Sequence, residues 1–149
     1  MHQDDVLVFF SFMQDKESLW QAAFTSADPS DLDAHNKHRE KILNDPQILN
    51  RTIVSDGVVV GSVGRYFMDG VAQVTYWIGS EFKNKGIATA ALAKLLVIDQ
   101  TRPMESRTAF DNEASARVLQ KNGFSVVGTD KYFANARGEE IAETIWRLV

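Results

Sequence analysis

Residues 78–92, IGSEFKNKGIATAAL, constrain this chain more than any other stretch. They read as the end of a strand, a short basic loop with one glycine, and then a nearly uncharged helix that starts at Gly86. A strand that turns into a helix this way leaves a row of free backbone N–H groups at the helix N-terminus, where the macrodipole is also positive. Lys83 and Lys85 add two formal positive charges there, Gly86 lets a ligand approach the backbone, and Ala88 keeps the first turn thin. The chemistry is that of a pyrophosphate cradle. Two commoner phosphate motifs are excluded by inspection, since the chain holds no G-x-x-x-x-G-K-[ST] and no G-x-G-x-x-G after a strand.

Turn signals and periodicity set the rest of the order. Val6–Phe12 is a short apolar run of strand character, and residues 15–24 read as a first helix. A polar helix begins at Asp31 or Asp33 and runs to Asn44, where Asp45-Pro46 ends it. Strands at 51–55 and 58–66 flank Asp56-Gly57, and Asp69-Gly70 leads into a third strand at 71–78, so three antiparallel strands follow one another. The helix from Gly86 to Asp99 carries few charges and is expected to be buried on most sides. A strand at 107–110, a helix at 112–121 closed by Asn122-Gly123, and a hairpin of 125–133 with 141–148 complete the chain. This predicts an α+β fold: a twisted, mostly antiparallel sheet of six to seven strands flanked by helices.

The spacing Ile78-x-x-x-x-Lys83-x-x-Gly86-x-Ala88 resembles the acetyl-CoA signature of the GNAT N-acetyltransferases, V/I-x-x-x-x-(Q/R)-x-x-G-x-(G/A). Lys83 stands where that family has Gln or Arg, a position whose backbone does most of the phosphate binding. One helix and one strand further on, DNEASARVLQKNGF (111–124) is similar to the family's second half-site, N-x-x-(S/A)-…-G-F, and most closely to the branch of the ribosomal-protein N-terminal acetyltransferases. The resemblance runs from about Val58 to the C-terminus, and the predicted element order agrees with it. It implies a GNAT fold with acetyl-CoA as cosubstrate in a cleft between splayed strands. It also implies direct transfer of acetyl to a primary amine of a small molecule or of a peptide or protein N-terminus. The alternative is a catalytically weak, GNAT-like module that binds CoA for regulation.

On this reading Trp77, Ile78, Lys83, Asn84, Lys85, Gly86, Ile87, Ala88 and Thr89 hold the cosubstrate. Asn112 is a helix cap that also meets the pantetheine arm, and Lys121 reaches a phosphate. Ser115, one turn beyond Asn112, meets the CoA sulfur and serves the leaving thiolate, because Leu119 occupies the position where many members carry a catalytic tyrosine. Glu81 is the candidate base, since Gln73 replaces a glutamate common in related sequences. Tyr76 is expected to contact the acceptor, with Tyr76 and Trp77 on opposite faces of their strand.

With 149 residues the chain reads as one domain, 1–149, able to bury about 68–70% of its unfolded surface without a metal or disulfide. The absence of cysteine excludes a cysteine-linked acyl-enzyme and any thiolate metal site. His35 and His38 have no third ligand at fitting spacing, so no metal is expected. A net charge of −4 argues against a nonspecific nucleic-acid footprint. The acidic start and the lack of a long apolar run argue against a signal peptide or membrane span, so a cytoplasmic location is expected. Homodimerisation stays open. So does the acceptor, among peptide N-termini, aminoglycoside-like antibiotics, polyamines and amino acids; Asp28, Asp31, Asp33 and Asp69 are compatible with a cationic one.

Overall fold

The two Asp-Gly pairs set the centre of the sheet. In the computed structural model of the chain, which describes residues 2–149, Asp56, Gly57, Asp69 and Gly70 all have positive φ, from 51° to 78°. Paired left-handed residues of this kind match the twist of the strands they join. They connect β1 (Leu49–Ser55), β2 (Val58–Met68) and β3 (Val71–Ile78) into an antiparallel meander. β4 (Met104–Ala109) lies parallel to β3, and the hairpin of β5 (Ser125–Ala134) and β6 (Glu139–Leu148) closes the far side. The six strands stand in the order β1-β2-β3-β4-β6-β5.

Among the described residues five α-helices flank the sheet. They are α1 (Val6–Phe12), α2 (Lys16–Ala22), α3 (Leu32–Asn44), α4 (Ile87–Ile98) and α5 (Glu113–Lys121). The strand expected at Val6–Phe12 is α1 instead. Its β-branched and aromatic residues favour a strand locally, but Val6 and Phe9, three apart, are the pair that becomes buried, while Leu7 is exposed. That spacing suits one helical face and not alternate faces of a strand. The Phe12 ring then packs where a side chain at Gly79 would stand, within 2.7 Å of such a Cβ, so this glycine admits the helix.

One core lies between the sheet and the α4–α5 pair, built from Val63, Val74, Leu92, Leu95, Met104, Leu119 and Trp146. Leu92 and Leu119 are wholly buried, and truncating either to alanine costs about 2–5 kcal/mol. Expectation and structure differ on α4: Ala91, Leu92 and Leu95 are buried, but Val97 and Ile98 are 74% and 62% exposed. The helix carries one charge, Lys94, and yet packs on one side only.

Candidate active site

The site begins where the sheet comes apart. β3 pairs with β2 along its whole length, but with β4 only at Ala72–Met104 and Gln73–Glu105. The Ser106 hydroxyl donates to the Val74 carbonyl at 3.1 Å, and beyond that bridge the two parallel strands part. Residues 75–78 therefore keep one edge without a strand partner. Two cavities open on this gap.

The first, about 550 Å³, runs from α2 over β3 to the start of α4 and along α5. Its floor at α4 differs from the starts of α2, α3 and α5. The Asp15 carboxylate caps α2 by accepting the Ser18 N–H, Asp31 caps α3 through Ala34, and Asn112 caps α5 through Ser115. Gly86, at φ 76°, precedes α4 and offers no side-chain cap. The first-turn amides of α4 are therefore free to bind a ligand's acceptor atoms. A Cβ on Gly86 would meet no atom within 4 Å, so the space above it is open and a side chain there would fill it. Asn84 also has positive φ, 62°, two residues earlier in the same turn. These features fit a pyrophosphate, with the helix dipole adding favourable charge.

Of the residues expected to hold the cosubstrate, Trp77, Ile78, Lys83, Asn84, Gly86, Ile87, Ala88, Thr89, Asn112, Ser115 and Lys121 line this cavity, together with Tyr76 and Arg117. Lys85 does not. Its ammonium lies 6.0 Å from the centroid of the Phe82 ring. The Lys83 ammonium is also engaged, donating to the Ser18 hydroxyl at 2.5 Å, which in turn donates to Asp15. The Ser18 hydrogen bonds hold the Asp15 carboxyl below its ordinary range. Glu81, the expected base, is exposed on the short turn Ser80–Phe82 and lines neither cavity.

Side-chain alternation along β3 places Tyr76 with Val74 toward α4 and α5, while Trp77 faces the opposite side beside its partner Ser62. The Tyr76 phenol reaches α5, where its oxygen stands 2.5 Å from the Ser115 hydroxyl and 3.3 Å from the Ser115 carbonyl. Burial pushes this phenol up to about 12, and the hydrogen bond to Ser115 offsets only part of that rise. Sequence reasoning assigned Tyr76 to the acceptor and missed this contact, for which the alternation of β3 was the available signal. Gln73 is fully buried and donates to Glu105 at 3.3 Å. That position belongs to a structural network completed by Arg147.

The second cavity, about 730 Å³, lies largely on the other face, walled by residues of α3, β2, β4 and the β5–β6 hairpin. It shares Ala22, Tyr76, Trp77, Asn112 and Ser115 with the first, so the two meet at the strand gap. Its charged walls are Arg39, Arg107 and Glu143, none of which the sequence pointed to. Arg107 donates to Glu143 at 2.9 Å. Asp28, Asp31, Asp33 and Asp69 line neither cavity, and Asp28 and Asp31 are occupied in local turns and caps. His35 donates its Nε2–H to the Val6 carbonyl (3.2 Å) and meets the Phe10 ring edge-on, which gives it a structural use. Among the described residues no group of acidic, His or Cys side chains could hold a metal, and no helix is long and apolar enough to cross a membrane.

Comparison with known proteins agrees with this geometry. The family described as "Acetyltransferase (GNAT) domain" matches residues 1–125. YdaF of Bacillus subtilis (strain 168), named as a ribosomal N-acetyltransferase, is 29% identical over 75% of this chain and 67% of its own length. Among solved structures, RimL, a ribosomal alpha-N-protein acetyltransferase in complex with coenzyme A, superposes with a TM-score of 0.85 at 16% identity, covering 100% of this chain and 90% of that one. The microcin self-immunity acetyltransferase MccE, in complex with acetyl-CoA and AMP, gives 0.81 at 20% identity, over 99% and 88% of the two chains. The structural likenesses establish the fold, and with the family match over residues 1–125 the chain belongs to the GNAT acetyltransferases.

Proposed function

We propose that the protein transfers an acetyl group from acetyl-CoA directly to the primary amine of a peptide, a protein N-terminus or an amino acid, with residues 1–149 acting as one domain. The observation that carries this reading is the uncapped start of α4 at Gly86, which opens into a cavity that ends at the Tyr76–Ser115 pair and meets a second cavity there. Bound acetyl-CoA supplies the activated acetyl thioester. The amides at 86–89 would hold its pyrophosphate, and the Asn112 carboxamide NH₂, left over once its oxygen caps α5, would hold the amide-rich arm. The unpaired edge of β3 would offer backbone N–H to the carbonyl oxygen as charge develops there.

At the reacting end, Ser115 would hold a proton toward the departing sulfur, with Tyr76 behind it. Burial raises the Tyr76 phenol to about 12, so it stays protonated throughout the usual assay range. The amine needs little help, because a peptide α-amine has a pKa of about 7.7–8.0 and is partly neutral at pH 7, whereas a lysine amine near 10.4 is not. Glu143 is the carboxylate lining the acceptor cavity, and Arg107 holds it in place. The relatives named for ribosomal-protein acetylation support an α-amine acceptor. Leu119 and Gln73 favour a binding-only module, and Tyr76 answers the first of these by bringing a phenol to Ser115 from β3.

The test is thiol release from acetyl-CoA over a panel of amines, run beside a melting experiment with CoA. Saturation at 100 times Kd should add about 2.7 kcal/mol of stability. CoA stabilisation without turnover on any amine would reduce the protein to a binding module, and no stabilisation would remove the site.

A further inference from the structure

The acceptor cavity has one positive charge too many. Of its charged walls, Arg107 is matched by Glu143 at 2.9 Å and approached by Asp130 at 3.9 Å. Arg39 has no such partner: among the described residues its guanidinium makes no ion pair and no hydrogen bond. It lies instead 5.0 Å over the ring of Phe9, and its Nε is buried without a partner. Its neighbours His35 and His38 on α3 supply no anion, and burial, aided by the Arg39 charge, holds both toward the neutral form. Arginine cannot escape by losing its proton. A partly desolvated, uncompensated cation is costly, and proteins keep one where something else supplies the anion.

The remaining unpartnered polar atoms point the same way. The buried side-chain atoms without a hydrogen bond among the described residues are Thr25 Oγ1, Arg39 Nε, Trp77 Nε1 and Arg107 Nε. All four belong to residues that line this cavity, and three of the four are obligate donors. Glu143, the one carboxylate on the wall, is already taken by Arg107. A ligand suited to this wall brings acceptor atoms and a single negative charge. A polyamine or aminoglycoside would bring the opposite.

We propose that the acceptor is an amine that itself carries a carboxylate, and that Arg39 binds that carboxylate in the second cavity. The inference rests on the acetyl-transfer reading above and narrows its substrate class. The carboxylate could come from a free α-amino acid or from an Asp or Glu side chain near a peptide N-terminus.

The experiment compares matched pairs. Free α-amino acids are assayed against their α-carboxamides, and C-terminally amidated peptides with Asp or Glu near the N-terminus against the same peptides with Asn or Gln. Wild-type enzyme should favour the carboxylate member by roughly 10-fold or more in kcat/KM, and the arm that shows this identifies the source. Arg39→Gln should lose the preference, Arg39→Lys should keep part of it, and CoA affinity should stay unchanged in both. Equal rates within every pair, or an undiminished preference in Arg39→Gln, would overturn the proposal. Should CoA bind but no amine turn over, the acetyl-transfer reading fails by itself. The anion site is then read from melting of the CoA complex with the same pairs, where stabilisation by carboxylate members in wild type and its loss in Arg39→Gln is expected. No difference there sinks the site as well.

Discussion

The phenolic oxygen of Tyr76 on β3 lies 2.5 Å from the hydroxyl of Ser115 on α5, across the gap where β3 and β4 part. Serine alone is a poor acid, but a serine that accepts from a phenol can pass a hydrogen bond on to a departing sulfur while its own oxygen stays satisfied. The pair also ties β3 to α5 at the point where the two cavities meet.

Ser115→Ala and Tyr76→Phe should each lower kcat by roughly 10–10²-fold with a smaller change in KM for acetyl-CoA. Two side chains that act as one unit should make the double variant little worse than the more damaged single variant. Burial pushes the phenol up to about 12, so it stays protonated throughout the usual assay range and no falling limb in kcat should come from Tyr76. Strictly additive losses would mean that the two residues act independently.

Replacing Gly86 by Glu should abolish CoA binding. The new side chain would enter space that is open within 4 Å and would set a carboxylate against a polyphosphate. The position also has φ 76°, so a fold penalty of about 1–2 kcal/mol is expected from the left-handed backbone. Gly86→Ala separates the two effects, since it carries the backbone cost with far less intrusion. Calorimetric titration with CoA should rank wild type above Gly86→Ala and show no heat for Gly86→Glu; unchanged affinity in the Glu variant would move the phosphate site elsewhere.

Asn112→Ala should cost about 1 kcal/mol of stability through the lost cap on the Ser115 N–H, and weaken CoA binding as well. Asn112→Asp keeps the capping oxygen and removes the NH₂. Melting and titration of both variants divide the roles, and a CoA affinity equal to wild type in Asn112→Asp would leave Asn112 as a cap alone.

What the sequence made legible was what local chemistry decides. Asp56-Gly57 and Asp69-Gly70 specify their turns, Gly86 ends a strand-to-helix turn that no side chain caps, and Asn112 caps α5, all within a few residues. Val6–Phe12 was misjudged because its propensity is local and its burial is not: packing of Phe9 and Phe12 against Arg39, Phe82 and Gly79 decides the helix. The site shows the same division. The cradle residues sit in one segment, whereas Tyr76–Ser115 joins positions 39 residues apart and Lys83–Ser18 positions 65 apart. Glu81 lies beside the cradle in sequence, but its short turn carries it to the surface. Arg39 stood out in no pattern, because an unpaired charge is a property of what surrounds it.

Asp99 gives the fold a pH dependence that can be measured apart from activity. It ends α4, is 7% exposed, and accepts from Arg65 Nε at 2.6 Å and from the Thr101 hydroxyl at 2.6 Å and N–H at 3.0 Å. Burial alone would raise its pKa, but the bonds from Thr101 and Arg65 together outweigh it and hold the carboxyl below its ordinary value. A folded-state pKa below the unfolded one means that the stabilisation is fully present above about pH 4 and is lost as the pH falls through the lower, folded value. Urea unfolding of wild type should therefore weaken on the acid side of pH 4. Asp99→Asn should be less stable at neutral pH by about 1–3 kcal/mol, and the gap to wild type should close as the pH falls. A gap that stays constant from neutral to acid pH would mean that the charge of Asp99 contributes nothing, and that its hydrogen bonds to Thr101 hold the end of α4 without it.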